Sequence, residues 1–237
     1  MGPKMRMTQV AQIQDLSPHM RRIIVTGADL DGFPIEQEGA HVKAIFPHPG
    51  EIKPKLGLYP GAKKWMRSYT IRSFDQNSKE LALDFAVNDH TGLATDWAAN
   101  AKVGDLLGIA GPGPTKYPSY QADWHLIVAD LTALPAAAAA LEKLPENAKG
   151  TAIIQVPTQD DIQELKAPNG ITFEWVIGPY QTKNLLLEKV KTVSWMEGQP
   201  VIFIAAESKH MQEIKHFVKT QPGYKTQQAY ASGYWKA

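Results

Sequence analysis

The chain of 237 residues contains no cysteine. Disulfides, thiolate-held iron–sulfur clusters, a cysteine nucleophile and thioether-linked haem are therefore excluded. Long apolar runs are also missing: none approaches the roughly 20 residues a membrane-spanning helix needs, and residues 1–8 lack the apolar centre of a secretory signal. Both absences point to a cytoplasmic protein. Arginine stops early, since all five lie between Arg6 and Arg72. Residues 1–72 carry 11 Lys+Arg against 6 Asp+Glu, a net +5, while the remainder carries 14 against 18, a net −4. That asymmetry reflects either chance or a first domain that handles anions. The overall net charge of +1 argues against generic binding to nucleic acid or to membrane surfaces.

Several catalytic signatures are absent as well. The seven histidines form no H-x-x-x-H pair and no H-E-x-x-H, and His210 and His216 are six residues apart, off any shared helical face, so no metal site is expected. There is no G-x-S-x-G, and the Ser232-Gly233 pair sits close to the C-terminus, which removes a serine hydrolase. Neither the dinucleotide fingerprint G-x-G-x-x-G nor the Walker motif occurs.

What is present divides in two. Up to Ile109 the pattern is of short β-rich runs, 8–13, 20–25, 41–46, 68–72 and 81–87, punctuated by Gly, Pro and Asp turn signals, with one helical stretch at 92–101. That predicts an antiparallel β-barrel or sandwich. The breaker-rich segment 111–118 marks a boundary, giving domains 1–115 and 116–237. Beyond Trp124, buried-strand candidates at 125–129, 152–156, 173–177 and 201–205 alternate with helical stretches at 135–144, 182–192 and 208–220. This is an α/β pattern, a doubly wound parallel sheet, with ligand positions expected at the strand ends 130–132, 158–161, 178–179 and 207–208. Thr132 is suited to cap the helix begun by Pro135, and a free helix N-terminus with a hydroxyl is an anion site.

Arg67-Ser68-Tyr69-Thr70-Ile71-Arg72 is the most informative segment. On a strand, Arg67, Tyr69 and Ile71 share one face and Ser68, Thr70 and Arg72 the other. An Arg and an aromatic on one face can clamp a phosphate and stack a flat ring, and Gly92, opening a helix, offers backbone amides to further phosphate oxygens. An ordinary half-exposed strand satisfies the same pattern.

A strand-borne R-x-Y-T, a glycine-led helix and a following α/β domain resemble the ferredoxin-reductase-type flavoproteins. More narrowly, the chain resembles the siderophore-interacting protein family of ferric-siderophore reductases. The resemblance is carried by residues 18–22, 41–43, 67–72, 90–97, 132–136, 206–207 and 232–236, in order through nearly the whole chain. It implies an FAD-binding first domain and a nucleotide-binding-like second one. Arg67 would pair with the FAD diphosphate, Tyr69 would pack on the isoalloxazine, and Thr70 would lie at its reactive edge, with Ser68 beside them. His90 and Gly92-Leu93-Ala94-Thr95 would line the adenine and diphosphate side, Thr132 the nucleotide side, and Trp235 the other flavin face. Tyr69 and Thr70 would be the catalytic residues. The chain departs from the family's G-D-E-T at Ala129-Asp130-Leu131-Thr132, and it ends at Ala237 where other members carry a longer tail.

The implied substrate is a ferric siderophore. A flavin accepts a hydride as two electrons and can release them singly to ferric iron, so the protein itself need not ligate the metal. Lys43 and Lys236 are the candidates for capturing an anionic chelate. The donor is left open between NADH, NADPH and a protein such as ferredoxin. The Arg-free second domain and Asp160-Asp161 favour NADH over NADPH. The expected state is a monomer without nucleic-acid or membrane partners. Two other functions fit the same residues: a general flavin reductase with another acceptor, and a non-enzymatic siderophore-binding module.

Overall fold

The structure, a computed structural model, describes residues 4–87, 91–180 and 183–236. The chain divides into two compact units, Met1–Thr115 and Lys116–Ala237.

In the first unit six strands, β1 (Met5–Ser17), β2 (Met20–Thr26), β3 (His41–Ile45), β4 (Met66–Asp75), β5 (Glu80–Ala86) and β6 (Leu106–Ala110), close into an antiparallel barrel ordered β1-β2-β5-β4-β3-β6. Closure leaves no unpaired edge. Alternation supplies the core: Val10, Ile23, Val25, Val42, Ala44, Ile71, Leu83, Phe85, Leu107 and Ile109 point inward and are buried. Helix α1 (Leu93–Asn100) packs on this core through Ala94 and Ala98. Strand β6 is not among the runs expected from sequence. Its five residues include Gly108, where a Cβ would fall 2.9 Å from that of Ile45, so close strand packing, not side-chain alternation, defines it.

The second unit is a five-stranded parallel sheet of β7 (Trp124–Asp130), β8 (Lys149–Val156), β9 (Gly170–Ile177), β10 (Pro200–Glu207) and β11 (Ala229–Trp235), ordered β11-β10-β7-β8-β9. Helix α2 (Leu134–Glu142) covers one face against Ile127, Ala129, Ala152 and Phe203. Helices α3 (Leu185–Lys191) and α4 (Ser208–Val218) cover the other against Leu126, Val128, Ile153, Ile202 and Ile204. Burial on both faces explains why β7, β8 and β10 read as continuous apolar runs. Helix α3 begins at Leu185, where Asn184 accepts from the Leu187 amide at 3.0 Å; the expected start at Thr182 lies outside the described residues. Strand β11 was not expected from the sequence because, as a partly exposed edge strand of small and aromatic residues, it shows neither an apolar run nor a clean alternation. The chain runs outward through β7, β8 and β9, then reverses to β10 and β11, so the topological switch point lies between β7 and β10.

Candidate functional site

Strand β4 carries the candidate residues of the barrel unit. It pairs with β3 so that Thr70 faces His41, Tyr69 faces Val42, and Ser68 faces Lys43. The Lys43 Nζ donates to Ser68 Oγ at 2.5 Å, which puts one candidate for the chelate and one for the cofactor in direct contact. Arg67 is exposed, and its Nη1 donates to the carbonyls of Lys64 (3.0 Å) and Met66 (2.9 Å). Those two bonds fix the guanidinium while leaving Nε and Nη2 without a partner among the described residues. The Tyr69 ring lies 4.1 Å from that of Phe85, which is 5.8 Å from Trp97, itself 5.4 Å from Phe46. This aromatic chain braces Tyr69 from inside and ties β4, β5 and α1 together. Burial pushes the Tyr69 phenol well above its ordinary pKa, with Arg67 opposing, so it stays protonated.

Helix α1 is held at its far end by Arg21, whose Nη1 donates to the carbonyls of Ala98 (3.1 Å) and Ala99 (2.9 Å) and whose Nε pairs with Asp15 at 2.6 Å. A cation there complements the helix dipole. The opposite end is open: Gly92 is the N-cap and supplies no side-chain bond. A Cβ at Gly92 would meet nothing within 4 Å. Leu93, Ala94 and Thr95 form the first turn, whose amides point outward. His90 lies outside the described residues. At the β6 exit the Gly113 amide donates to the His41 carbonyl at 2.8 Å, and a Cβ on Gly113 would land 2.5 Å from the His41 ring, so any larger residue there would have to displace that ring.

At the switch point of the α/β unit the carboxylate of Asp130 gathers several donors. Its Oδ1 accepts from the Thr132 amide (3.0 Å) and hydroxyl (2.5 Å), and its Oδ2 accepts from the Glu207 amide (2.8 Å) and the Trp235 indole (2.7 Å). Burial raises the Asp130 pKa and these bonds oppose the rise. Asp130 is therefore the cap of the turn 131–133, and the expectation of Thr132 as cap of a free helix N-terminus is corrected: both polar groups of Thr132 are engaged. The carboxylate two residues earlier takes the Thr132 hydroxyl as a donor, and the helix Leu134–Glu142 starts from Ala133 with no side-chain cap from that residue. The Tyr180 ring stands edge-on to Trp235 at 5.6 Å, and its hydroxyl donates to the Gln155 carbonyl at 3.5 Å. Ser208 Oγ donates to the Trp235 carbonyl at 2.7 Å. Lys236 is exposed.

Comparison with known proteins settles the kinship. Residues 9–116 match the family model described as a siderophore-interacting FAD-binding domain, and residues 122–237 match that described as siderophore-interacting protein. The siderophore-interacting protein SipS from Aeromonas hydrophila is 35% identical, with a TM-score of 0.88 covering 99% of this chain and 92% of that one. The ferric vibriobactin reductase ViuB of Vibrio cholerae is 30% identical over 93% of this chain and 85% of its own. The chain belongs to the siderophore-interacting protein family. A further relative, the NADPH-dependent ferric-chelate reductase of Escherichia coli, is 27% identical over 99% of this chain and 94% of its own. Ferredoxin-NADP+ reductase from Plasmodium falciparum, 12% identical with a TM-score of 0.67, shares the fold.

The barrel unit is thus a siderophore-interacting FAD-binding domain, and its residues fit that group. An oriented, exposed guanidinium and a first helical turn that begins at a glycine, with no described atom within 4 Å of a Cβ built there, are what a diphosphate requires. The α/β unit is different, because the amides after β7 and β10 already have partners within the chain. Asp130 and Glu207 could be noted in the sequence only as strand-end residues. Tyr180 directly follows the expected strand end 178–179, and its neighbours Pro179 and Gly178 were the only signal that pointed to it. Among the described residues no helix is long and apolar enough to cross a membrane, and no cluster of three metal-ligating side chains occurs.

Proposed function

We propose that the protein is an FAD-dependent reductase of ferric siderophores. One observation carries the reading: in a domain of the siderophore-interacting FAD-binding family, the oriented Arg67, the braced Tyr69 and Thr70 share one strand, and Lys43 stands beside them on the next. FAD, when bound, supplies the conversion of a two-electron input into single electrons that ferric iron can take. Ferric iron held by hard oxygen donors loses that grip on becoming Fe(II), so reduction releases the metal.

The chain's own residues bind and orient. Arg67 and the first turn of α1 hold the diphosphate by charge-assisted and backbone hydrogen bonds. Tyr69, stiffened by Phe85, offers a flat ring for the isoalloxazine, and Thr70 presents a hydroxyl at the reactive edge. Lys43, which donates to the Ser68 hydroxyl, is an exposed ammonium side chain beside these residues and draws in anionic chelates. The electron donor of this chain is a nicotinamide nucleotide or a protein carrier; the Escherichia coli relative is named for NADPH.

The test is an absorption spectrum of the purified protein followed by turnover. Flavin bands at about 370 and 450 nm are expected of bound oxidised flavin. Reduction of a panel of ferric chelates in preference to quinone or free flavin supports the siderophore assignment. Flavin with no chelate reduction overturns the acceptor, and no flavin overturns the reading altogether.

A further inference from the structure

In open α/β sheets a dinucleotide lays its diphosphate at the switch point, against the first-turn amides of the helices that follow the strands. Those amides are engaged here. The Thr132 amide and hydroxyl are bonded to Asp130 Oδ1. Across the switch point, the Lys209 and His210 amides donate to Glu207 Oε2 at 2.7 and 2.9 Å. Both partners are carboxyl groups, only 1% and 6% exposed at Asp130 and Glu207. At the end of β8, Gln155 Oε1 is a buried acceptor without a partner, equally unsuited to a phosphate oxygen. The unit contains no Arg to outweigh these acceptors. A phosphate arriving here would have to displace a tethered acceptor and then sit beside it. Helix α1 of the barrel unit shows the contrast, since its N-cap is Gly92, which has no side chain to occupy the first-turn amides.

We propose that Asp130 and Glu207 are specificity-determining residues that act as resident acceptors and exclude a dinucleotide diphosphate from the α/β unit. Donors that rely on seating a diphosphate on these amides are selected against. The consequence for donor choice rests on the flavoprotein reading above, whereas the binding property itself does not.

The experiment is calorimetric titration of the FAD-loaded protein with ADP-ribose and with inorganic pyrophosphate, using wild type, Glu207→Ala and Asp130→Ala. Backbone NMR of the amides of residues 132, 209 and 210 runs alongside. Wild type is expected to show no saturable binding in the low millimolar range. Each variant should bind at least about tenfold more tightly, the amides it frees being the ones that shift. Asp130→Ala strips acceptors from the Glu207 amide and the Trp235 indole and can fail to fold; Glu207→Ala removes the cap of α4 while keeping the backbone bond from the Glu207 amide to Asp130, and it carries the test alone. Saturable binding of ADP-ribose to wild type that shifts the Thr132 and Lys209 amides would overturn the proposal. So would a folded Glu207→Ala that binds no more tightly. Either result leaves flavin content and chelate reduction intact, whereas loss of those would indict the reductase reading instead.

Discussion

Replacing Arg67 by Ala isolates the interaction on which cofactor retention most depends. The side chain is exposed, belongs to no core cluster, and among the described residues its hydrogen bonds run to the carbonyls of Lys64 and Met66. Removing it leaves those carbonyls to water, so the fold should lose little. The cost falls on the FAD complex. A charge-assisted hydrogen bond to a diphosphate is worth about 1.5–3 kcal/mol, and the two carbonyl contacts hold the guanidinium in place, so little ordering entropy offsets that value. At about 1.4 kcal/mol per factor of ten, FAD should dissociate roughly 10- to 150-fold more readily. Titration of apo-protein with FAD, followed by flavin fluorescence, measures the change, and a thermal melt of the apo-protein checks that the barrel is intact. An unchanged FAD affinity in a folded Arg67→Ala protein would refute the assignment of Arg67 to the diphosphate.

The other expectations are separable from this one. Lys43→Ala should raise KM for anionic ferric chelates, more at low salt, and leave neutral chelates and flavin reduction unaltered; equal losses for both chelate classes would contradict it. His125, 1% exposed and bonded through Nδ1 to the Tyr117 hydroxyl at 2.9 Å, has its pKa lowered from 6.5 to about 4 by burial. The fold therefore favours the neutral ring: its contribution is complete above pH 6.5 and declines as pH falls toward 4, by up to about 3 kcal/mol. Urea melts across that range should show the decline, and the same slope in His125→Gln would rule His125 out as its source. If a nicotinamide reduces the flavin directly, NADH should serve at least as well as NADPH. A kcat/KM ratio favouring NADPH by well over about tenfold would defeat the argument from the missing arginines.

The β-barrel and parallel sheet were legible in the sequence because burial writes itself into period and run length. The alternating large apolar residues Leu81, Leu83 and Phe85 of β5 mark the face turned to the barrel core, and the unbroken apolar runs of β7 and β10 mark burial on both faces. The short β6 and the edge strand β11 escaped because neither leaves such a pattern: Gly108 is selected by backbone approach, and β11 is half-exposed along its length. The candidate residues on β4 were visible because a strand sets the facing of its side chains locally. Thr132 misled because its fate depends on Asp130, which in turn is fixed by the Glu207 amide 77 residues away and the Trp235 indole 105 residues away. No local rule reports such partners. Tyr180, Asp130 and Glu207 thus acquire their roles only when the strand ends come together.

The central claim is that electrons pass from a flavin held by the barrel unit to ferric iron in a siderophore. Anaerobic mixing of the fully reduced, FAD-loaded protein with a ferric siderophore tests this most directly, reading flavin absorbance and Fe(II) trapped by a chromogenic chelator. The account predicts that the oxidised flavin spectrum returns as two Fe(II) appear per flavin, because the cofactor stores two electrons and the metal takes one. A flavin that stays reduced in the presence of the chelate, or reoxidises with no Fe(II) formed, would contradict it.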